Sequence, residues 1–502
     1  MRQLLATKSI AELQEQESKS NQLRRALGWG HLTLLGIGGI IGTGIFVLTG
    51  TAAANHAGPA LPLSFIIAGL GCTFAGLCYA EFAAMIPVSG SAYSYSYATL
   101  GEAIAWFIGW NLVLEYLFAV ATVSVGWSGY VVSLLEQLHI HLPAQLTNAP
   151  FGTPMGKEAF EIVSTGAIIN VPAVLIVALI ATICYIGIKQ SAWFNSVIVA
   201  IKVTVILLFI LVGVSYIEPA NWHPFVPPNG GQFGLFGWSG VMAASGVIFF
   251  AYIGFDAIST AAQETRNPQR DMPIGILSSL IVCTVLYVIV STVLTGMVSY
   301  KDLDVAAPVA LALDRHNAPY WIGIAVKFGA VCGMTSVMLV MTIAQARIFF
   351  AMARDGLLPP VFGRVHPRFK TPSVGTAVTG ACAALVGGLF PVKILGEMVA
   401  IGTLAAFVTV CIGVLVLRRT RPDLPRPFRA PWPWFTCIAG AVVCGAMMVS
   451  LGTATWLRLV IWTAVGVVIY AFYGYRHSAV RKAGAAAAAP APARHFLRRR
   501  SA

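Results

Sequence analysis

Of 502 residues, 57% are hydrophobic and only 10% charged; the net charge is +13 and the mean hydropathy +0.79. A soluble domain carries about 25% charged residues, so a soluble globular protein is excluded, and long apolar runs exclude an outer-membrane barrel, whose segments alternate. Excess Lys and Arg in such a chain collect in cytoplasmic loops, so the charge does not call for nucleic acid.

In chain order, residues 1–30 are polar, with Lys8, Lys19, Arg24 and Arg25, and read as a cytosolic tail, because a signal peptide would follow its basic start with an apolar run. Apolar stretches of the length needed to cross a bilayer follow at about 32–51, 61–86, 104–135, 171–188, 194–216, 238–262, 273–299, 320–351, 373–390, 394–416, 432–452 and 456–475. The predicted fold is therefore an all-α polytopic membrane protein with twelve spans. The segment 476–502 reads as a basic tail, Ala/Pro-rich before Arg498 to Arg500, that can touch anionic lipid.

With the N-terminus inside, 24 Lys and Arg fall in cytoplasmic segments. Five (Lys157, Lys301, Arg315, Lys393, Arg458) fall outside and three (Lys202, Lys327, Arg347) within spans. This split predicts a cell-membrane protein with both termini cytoplasmic. The nine cysteines show no CxxC spacing, so neither a zinc site nor a disulfide framework is expected. The outer-loop residues His139, His141 and His223 read as solvated. No metal and no cofactor are called for.

Span one contains Gly36-Ile37-Gly38-Gly39-Ile40-Ile41-Gly42-Thr43-Gly44, five glycines in nine positions. Each costs a helix about 1 kcal/mol relative to alanine, so the helix is expected to break there. Broken backbone at membrane depth is tolerated where it lines a cavity. Gly38 to Gly42 also form GxxxG, which serves helix packing. A second break is expected in span six, at Phe249-Phe250-Ala251-Tyr252-Ile253-Gly254-Phe255-Asp256, because inverted repeats place interrupted helices at matching positions. Repeat one would then cover about 32–216 and repeat two about 238–416, with helices 11 and 12 (about 432–475) outside. A helix restarted after a break offers free amides to an anion, which nominates Gly42, Thr43 and Gly44 for a carboxylate. Carbonyls on the other side of the breaks, from Ile40, Phe250, Ala251 and Ile253, suit an ammonium. The pair fits a zwitterionic α-amino acid.

The stretches GIGGIIGTGIFVLTG, CYAEFAAMIPVSGSAYSYSYATLGE, FFAYIGFDAISTAAQETRNPQRDMPIGI and FAMARDGLLPPVF together resemble the amino acid-polyamine-organocation superfamily, and within it bacterial members of the cationic amino acid transporter family. The likeness covers about residues 28–475. It implies the LeuT-type 5+5 inverted repeat with helices 1 and 6 broken, and transport of amino acids by proton coupling or exchange. One departure is Gln263-Glu264, where many relatives carry two acidic residues.

An ionisable residue at membrane depth is a functional candidate. Lys202, in VIVAIKVTVILLF, carries an ammonium whose burial costs several kcal/mol unless it is paired or neutralised. In similar proton-coupled transporters a helix-5 lysine takes the place of a sodium ion, which implies proton coupling for Lys202; a structural cation satisfying helix-1 carbonyls is the alternative. Glu115 could contact the cationic end of a substrate or pair with another buried group; the resemblance implies a role in the pocket or its gating. Asp256 is read as structural at the span-six break. Tyr116, Tyr252, Phe250 and Phe255 could form aromatic gates. Met338 and Met341 could line a side-chain pocket or pack in the core. Glu81, Lys327, Arg347 and Glu397 are expected to be paired or to snorkel.

No Walker A motif points to ATP drive, and neither HExxH nor GxSxG points to an enzyme. The reading is a secondary L-amino acid transporter, a proton symporter for cationic or small neutral substrates. An exchanger and a transporter-like sensor remain open. Its partners are substrate, proton and bilayer; a small membrane subunit is left open.

Overall fold

The computed structural model describes residue 8 and residues 27–86, 91–152, 163–187 and 192–482. Most of the two predicted tails lies outside these residues, including Lys19, Arg24, Arg25 and Arg498 to Arg500, as do Lys157 and the side chain of Gln263. Regular structure among the described residues is helical except for one short antiparallel pairing, Phe151 opposite Ser164 and Gly152 opposite Val163.

Helix α1 (Trp29–Ile40) stops and is resumed by a helical run over 44–57, partly π-helical. Then come α2 (Leu61–Met85), α3 (Glu102–Gln137), α4 (Val171–Ile186) and α5 (Ala192–Gly213). Helix α6 (Gly237–Ile248) also stops, and 3-10 segments Phe249–Tyr252 and Asp256–Glu264 follow it. The remainder is α7 (Pro268–Met297), α8 (Tyr320–Arg354), α9 (Ser373–Leu389), α10 (Val392–Thr420), α11 (Pro433–Ser450) and α12 (Thr453–Ile469). Shorter helices are named by their residues.

Among the described residues nine helices are long and apolar enough to cross a membrane. The sequence suggests twelve such spans, and the difference has local causes. The first is divided by its break, and its second part continues past residue 51 almost to α2. Helices α4 and α9 are apolar but have 16 and 17 residues. Helix α4 ends on Gly187 at φ +81°, a left-handed stop that favours glycine. Helix α9 lies between Pro372 and Pro391, and proline does not continue a helix. Helices α3 and α8, of 36 and 35 residues, are about 53 Å long at 1.5 Å per residue. They exceed the about 30 Å hydrocarbon layer, and so tilt or project from it.

At the centre α8 packs on α3, α7 on α2 and α1, and α10 on α3 and α11. Large apolar side chains such as Leu175, Leu211, Val285, Val442 and Val467 are exposed on the outward faces of α4, α5, α7, α11 and α12, as an apolar solvent requires. The charges expected to be paired have partners. Glu81 takes Arg418 and Arg426, and Lys327 reaches Asp314 at 2.9 Å. Arg347 lies 3.8 Å from Glu264, and Glu397 accepts from Thr455 at 2.9 Å with Arg458 at 3.7 Å.

Candidate functional site

The first interruption follows from backbone chemistry. The α-helical ladder of α1 ends with the Ile41 amide donating to Ile37 at 3.0 Å, and Ile41 itself is extended (φ −72°, ψ 104°). Helix resumes at Gly44, so the amides of the restart are free, as at any helix N-terminus. Carbonyls stranded by the break are taken by Lys202: its Nζ donates to Gly38 O at 2.6 Å and Ile41 O at 2.9 Å. The lysine stem lies against Gly333 of α8, where an added Cβ would stand 3.2 Å from it. One buried ammonium thus joins α5, the α1 break and α8.

The second interruption is built differently. After the 3-10 turn at Phe249–Tyr252, Ile253 is extended and Gly254 takes φ +119°, a conformation that favours glycine. Gly254 also touches the first break, for a Cβ there would fall 2.7 Å from the Gly39 carbonyl carbon. Side-chain hydroxyls hold the rest. Tyr116 of α3 donates to Asp256 Oδ2 at 2.5 Å, and Tyr252 donates to Phe65 O at 2.8 Å. The Tyr287 hydroxyl of α7 sits 3.1 Å from Ile40 O and 2.9 Å from Ala251 O, spanning both breaks.

Between the breaks lies a narrow cavity of about 10 Å³, room for about one water and far below the about 300–1,000 Å³ of drug-sized sites. Gly42, Thr43, Gly44, Gly39 and Ile40 line one side, Phe250 and Ile253 another. Ala119 and Val123 of α3 and Val337 and Met341 of α8 close it. No charged side chain is among these residues. The Thr43 hydroxyl is fully buried, packed by Gly126, and has no hydrogen-bond partner among the described residues.

The predicted residues therefore divide. Gly42, Thr43, Gly44, Ile40, Phe250, Ile253 and Met341 line the cavity. Ala251 packs on Gly44 but does not line the cavity, its carbonyl accepting from Tyr287, and Lys202 lies behind the first break. Glu115, Tyr116, Tyr252, Phe255 and Met338 are buried but do not line the cavity. The tyrosine hydroxyls are occupied by the second break and by α2. Phe255 packs edge-on to Tyr79 and against Phe407. Glu115 sits one helical turn from Ala119 on the same face of α3, within electrostatic reach of Asp256. Met338 is displaced by Val337, which shares a helical face with Met341 at a spacing of four. Asp256 lies at the second break and is tied to α3 through Tyr116. Sequence reasoning missed Tyr287, Ala119, Val123 and Val337. For α3 a signal existed, since Glu115, Ala119 and Val123 recur every fourth residue.

The sequence model of the family described as amino acid permease matches residues 27–478. The chain is 49% identical to the methylthioribose transporter of Bacillus subtilis, over 95% of this chain and 99% of that protein. It is 48% identical to the branched-chain amino acid permease BcaP of the same organism, over 94% and 97%. It is 38% identical to the vacuolar cationic amino acid transporter 2 of Arabidopsis thaliana, over 81% of this chain and 62% of that one. With its multi-pass helical build, the chain belongs to the amino acid permease family, a family of membrane transporters and not of enzymes.

Proposed function

We propose that this protein is a secondary active transporter of L-amino acids with small or branched apolar side chains, driven by protons. The observation that carries this reading is the uncharged cavity between two helix breaks. Free amides from Gly42, Thr43 and Gly44, with the unpartnered Thr43 hydroxyl, suit a carboxylate. Carbonyls of Ile40, Phe250, Ala251 and Ile253 suit an ammonium. Ala119, Val123, Val337 and Met341 leave only apolar surface for the side chain. A cationic side chain would find no carboxylate in the lining, since Glu115 is withdrawn by a turn; this narrows the sequence expectation to the neutral class. The branched-chain permease relative supports the same class.

In this reading the chain has twelve transmembrane helices, with α1–α5 and α6–α10 as inverted repeats and both termini cytoplasmic. Support comes from the interruption of α1 and α6, the leading helix of each half, and from the charge split of the loops. In this scheme contacts beyond the two ends of the broken helices act as gates. Leu27 N donates to Glu264 O at 2.9 Å on one side, and Asn55 donates to Asp304 at 3.0 Å on the other. Alternating access would break one set while keeping the other. Lys202 is the proton carrier of this scheme: losing its proton would release Gly38 and Ile41 carbonyls and loosen the first break.

The test is uptake into proteoliposomes. Leucine or alanine should accumulate under an inward proton gradient without sodium, and arginine should compete poorly. A sodium requirement, or arginine preference, defeats the proposal. Counterflow without a gradient separates transport from sensing. A methylthioribose-like solute is the second reading, favoured by the 49% identical relative and the apolar, Met341-containing lining. It has neither carboxylate nor ammonium for the backbone groups, so it should displace leucine weakly.

A further inference from the structure

A second concavity lies far from the transport cavity, at the start of α7. It is an open groove of about 450 Å³ lined by Gln269, Arg270, Pro273, Ile274 and Leu277 of α7 and by Pro427-Phe428 of the loop before α11. One wall is thus a helix and the other a loop, and the loop is firmly built. Arg426 donates to the carbonyls of Pro422 (3.2 Å), Leu424 (2.9 Å) and Arg421 (2.8 Å) and lies 3.6 Å from Glu81, while Arg418 binds Glu81 directly. These bonds hold Pro427 and Phe428 up against α7.

The depth of the groove is set by three observations. Helix α7 has 30 residues and is about 45 Å long, some 15 Å more than the hydrocarbon layer. Its first turn, with Arg270, therefore reaches the headgroup level. Trp432, Trp434 and Phe435, next to the loop, are 79%, 52% and 61% exposed, the pattern of an interfacial aromatic belt. Arg419 lies over the Trp434 ring at 4.6 Å, at the same level.

Polarity is graded along the groove. Arg270 and Gln269 are exposed at its mouth, and Arg429 follows Phe428 directly. The nearby acids are Asp271, which is buried, and Asp423. Ile274 and Leu277 lead inward, and beyond them Ile281, Val285 and Ile289 continue an exposed apolar stripe at a spacing of four. Arg270 to Leu277 covers about 10 Å of helix. A phosphate at one end and an alkyl chain along the other match this gradient.

We propose that this groove binds one anionic phospholipid, with its phosphate on Arg270 and an acyl chain along Ile274, Leu277 and Phe428. The occupant is a lipid and not a free phosphate, because most of the lining is apolar and opens onto the lipid-facing stripe of α7. Basic pockets beside transmembrane helices take anionic headgroups in this way.

The full-length protein in detergent, mixed with equal amounts of phosphatidylglycerol and phosphatidylcholine, is examined by native mass spectrometry. One phosphatidylglycerol should be retained in preference to phosphatidylcholine. R270A should lower its retention about five-fold, the factor one basic residue contributes at an anionic surface. L277W, which fills the acyl end and leaves the charge intact, should lower retention comparably, and K301A, at a distant exposed loop, should not. A melting transition like that of wild type in detergent confirms that each variant is folded. Equal retention of the two lipids, or wild-type retention of phosphatidylglycerol by either R270A or L277W, overturns the proposal; neither result bears on the transport reading, which is measured separately.

Discussion

Five glycines in nine positions surround the first interruption, whereas the second has Gly254 alone. The first is shaped by steric room. Gly38 admits Val199, Gly39 admits Gly254, and Gly44 admits the backbone of Ala251. Its stranded carbonyls are then capped by one cation, Lys202. The second is shaped by hydroxyl groups reaching in from elsewhere: Tyr116 from α3, Tyr287 from α7, and Tyr252 reaching out to α2. A break made by missing side chains cannot be adjusted by rotating a bond. A break held by hydroxyls can be released one bond at a time. On the proposed reading the close glycine contacts make the first half the fixed part, loosened only when Lys202 loses its proton, and the hydroxyl-held second half is the adjustable one.

The largest effect should come from filling the fixed half. A methyl group on Gly44 would overlap the Ala251 Cα and Cβ, and backbone cannot turn aside. Overpacking of this kind costs about 1–3 kcal/mol or more, and here it also displaces the amides proposed to hold the carboxylate. G44A should reduce leucine uptake at least about 100-fold. Uptake within about three-fold of wild type would show that the two breaks do not need this close approach.

Next comes K202A. It leaves two buried carbonyls without their donor, at about 1–3 kcal/mol each, so the protein should melt at lower temperature. More telling is the readout of coupling: uptake should no longer respond to an inward proton gradient, while leucine counterflow persists at a level reduced about ten-fold. Intact gradient-driven uptake in K202A would leave Lys202 as a cap for the α1 carbonyls and nothing more.

These two residues were legible in the sequence for the same reason. A glycine run inside an apolar span and a lysine inside another are costly features, and cost makes them visible. The helices were legible too, because apolar runs of bilayer length have few alternatives. What stayed hidden was whatever depended on rotation about a helix axis. Met338 and Met341 are three residues apart, and only the packing of α8 puts Met341 with Val337 in the lining and leaves Met338 out. Tyr116, Tyr252 and Phe255 were readable as aromatics near the breaks, but not as residues whose hydroxyls or rings are engaged away from the cavity. Tyr287 left no trace at all. A tyrosine in an apolar span is ordinary, and its two acceptors lie 247 and 36 positions away.

In the adjustable half, Y116F should have an intermediate effect. Its hydroxyl is a buried donor to Asp256 Oδ2 at 2.5 Å, and leaving a buried acceptor without its donor costs about 1–3 kcal/mol. Uptake should fall about ten-fold or more, with the loss in maximal rate rather than in leucine affinity, because Tyr116 does not line the cavity. A pure loss of affinity would mean that Asp256 and Tyr116 reach substrate, and would move them from support to contact.

The smallest effect is expected from Y287F, and it is the one that separates the two halves most sharply. The Tyr287 hydroxyl carries a single proton and lies within bonding distance of two carbonyls, Ile40 O and Ala251 O, both assigned to the substrate ammonium. In the empty protein it satisfies one of them. On the proposed reading the ammonium of an arriving substrate supplies the missing donors. Removing the hydroxyl therefore penalises the empty state more than the loaded one. A neutral hydrogen bond contributes about 1 kcal/mol net, so uptake at low leucine should change by no more than about five-fold. The rise in melting temperature on adding saturating leucine should, by contrast, exceed that of wild type. Y252F is the matched control. Its hydroxyl also donates to a carbonyl at 2.8 Å, but that carbonyl is Phe65 O, outside the cavity. Y252F should lower stability with and without leucine alike. If Y287F and Y252F lose stability equally in both states, the carbonyls of Ile40 and Ala251 do not receive the ammonium, and the adjustable half is a structural seam instead of the amine end of the site.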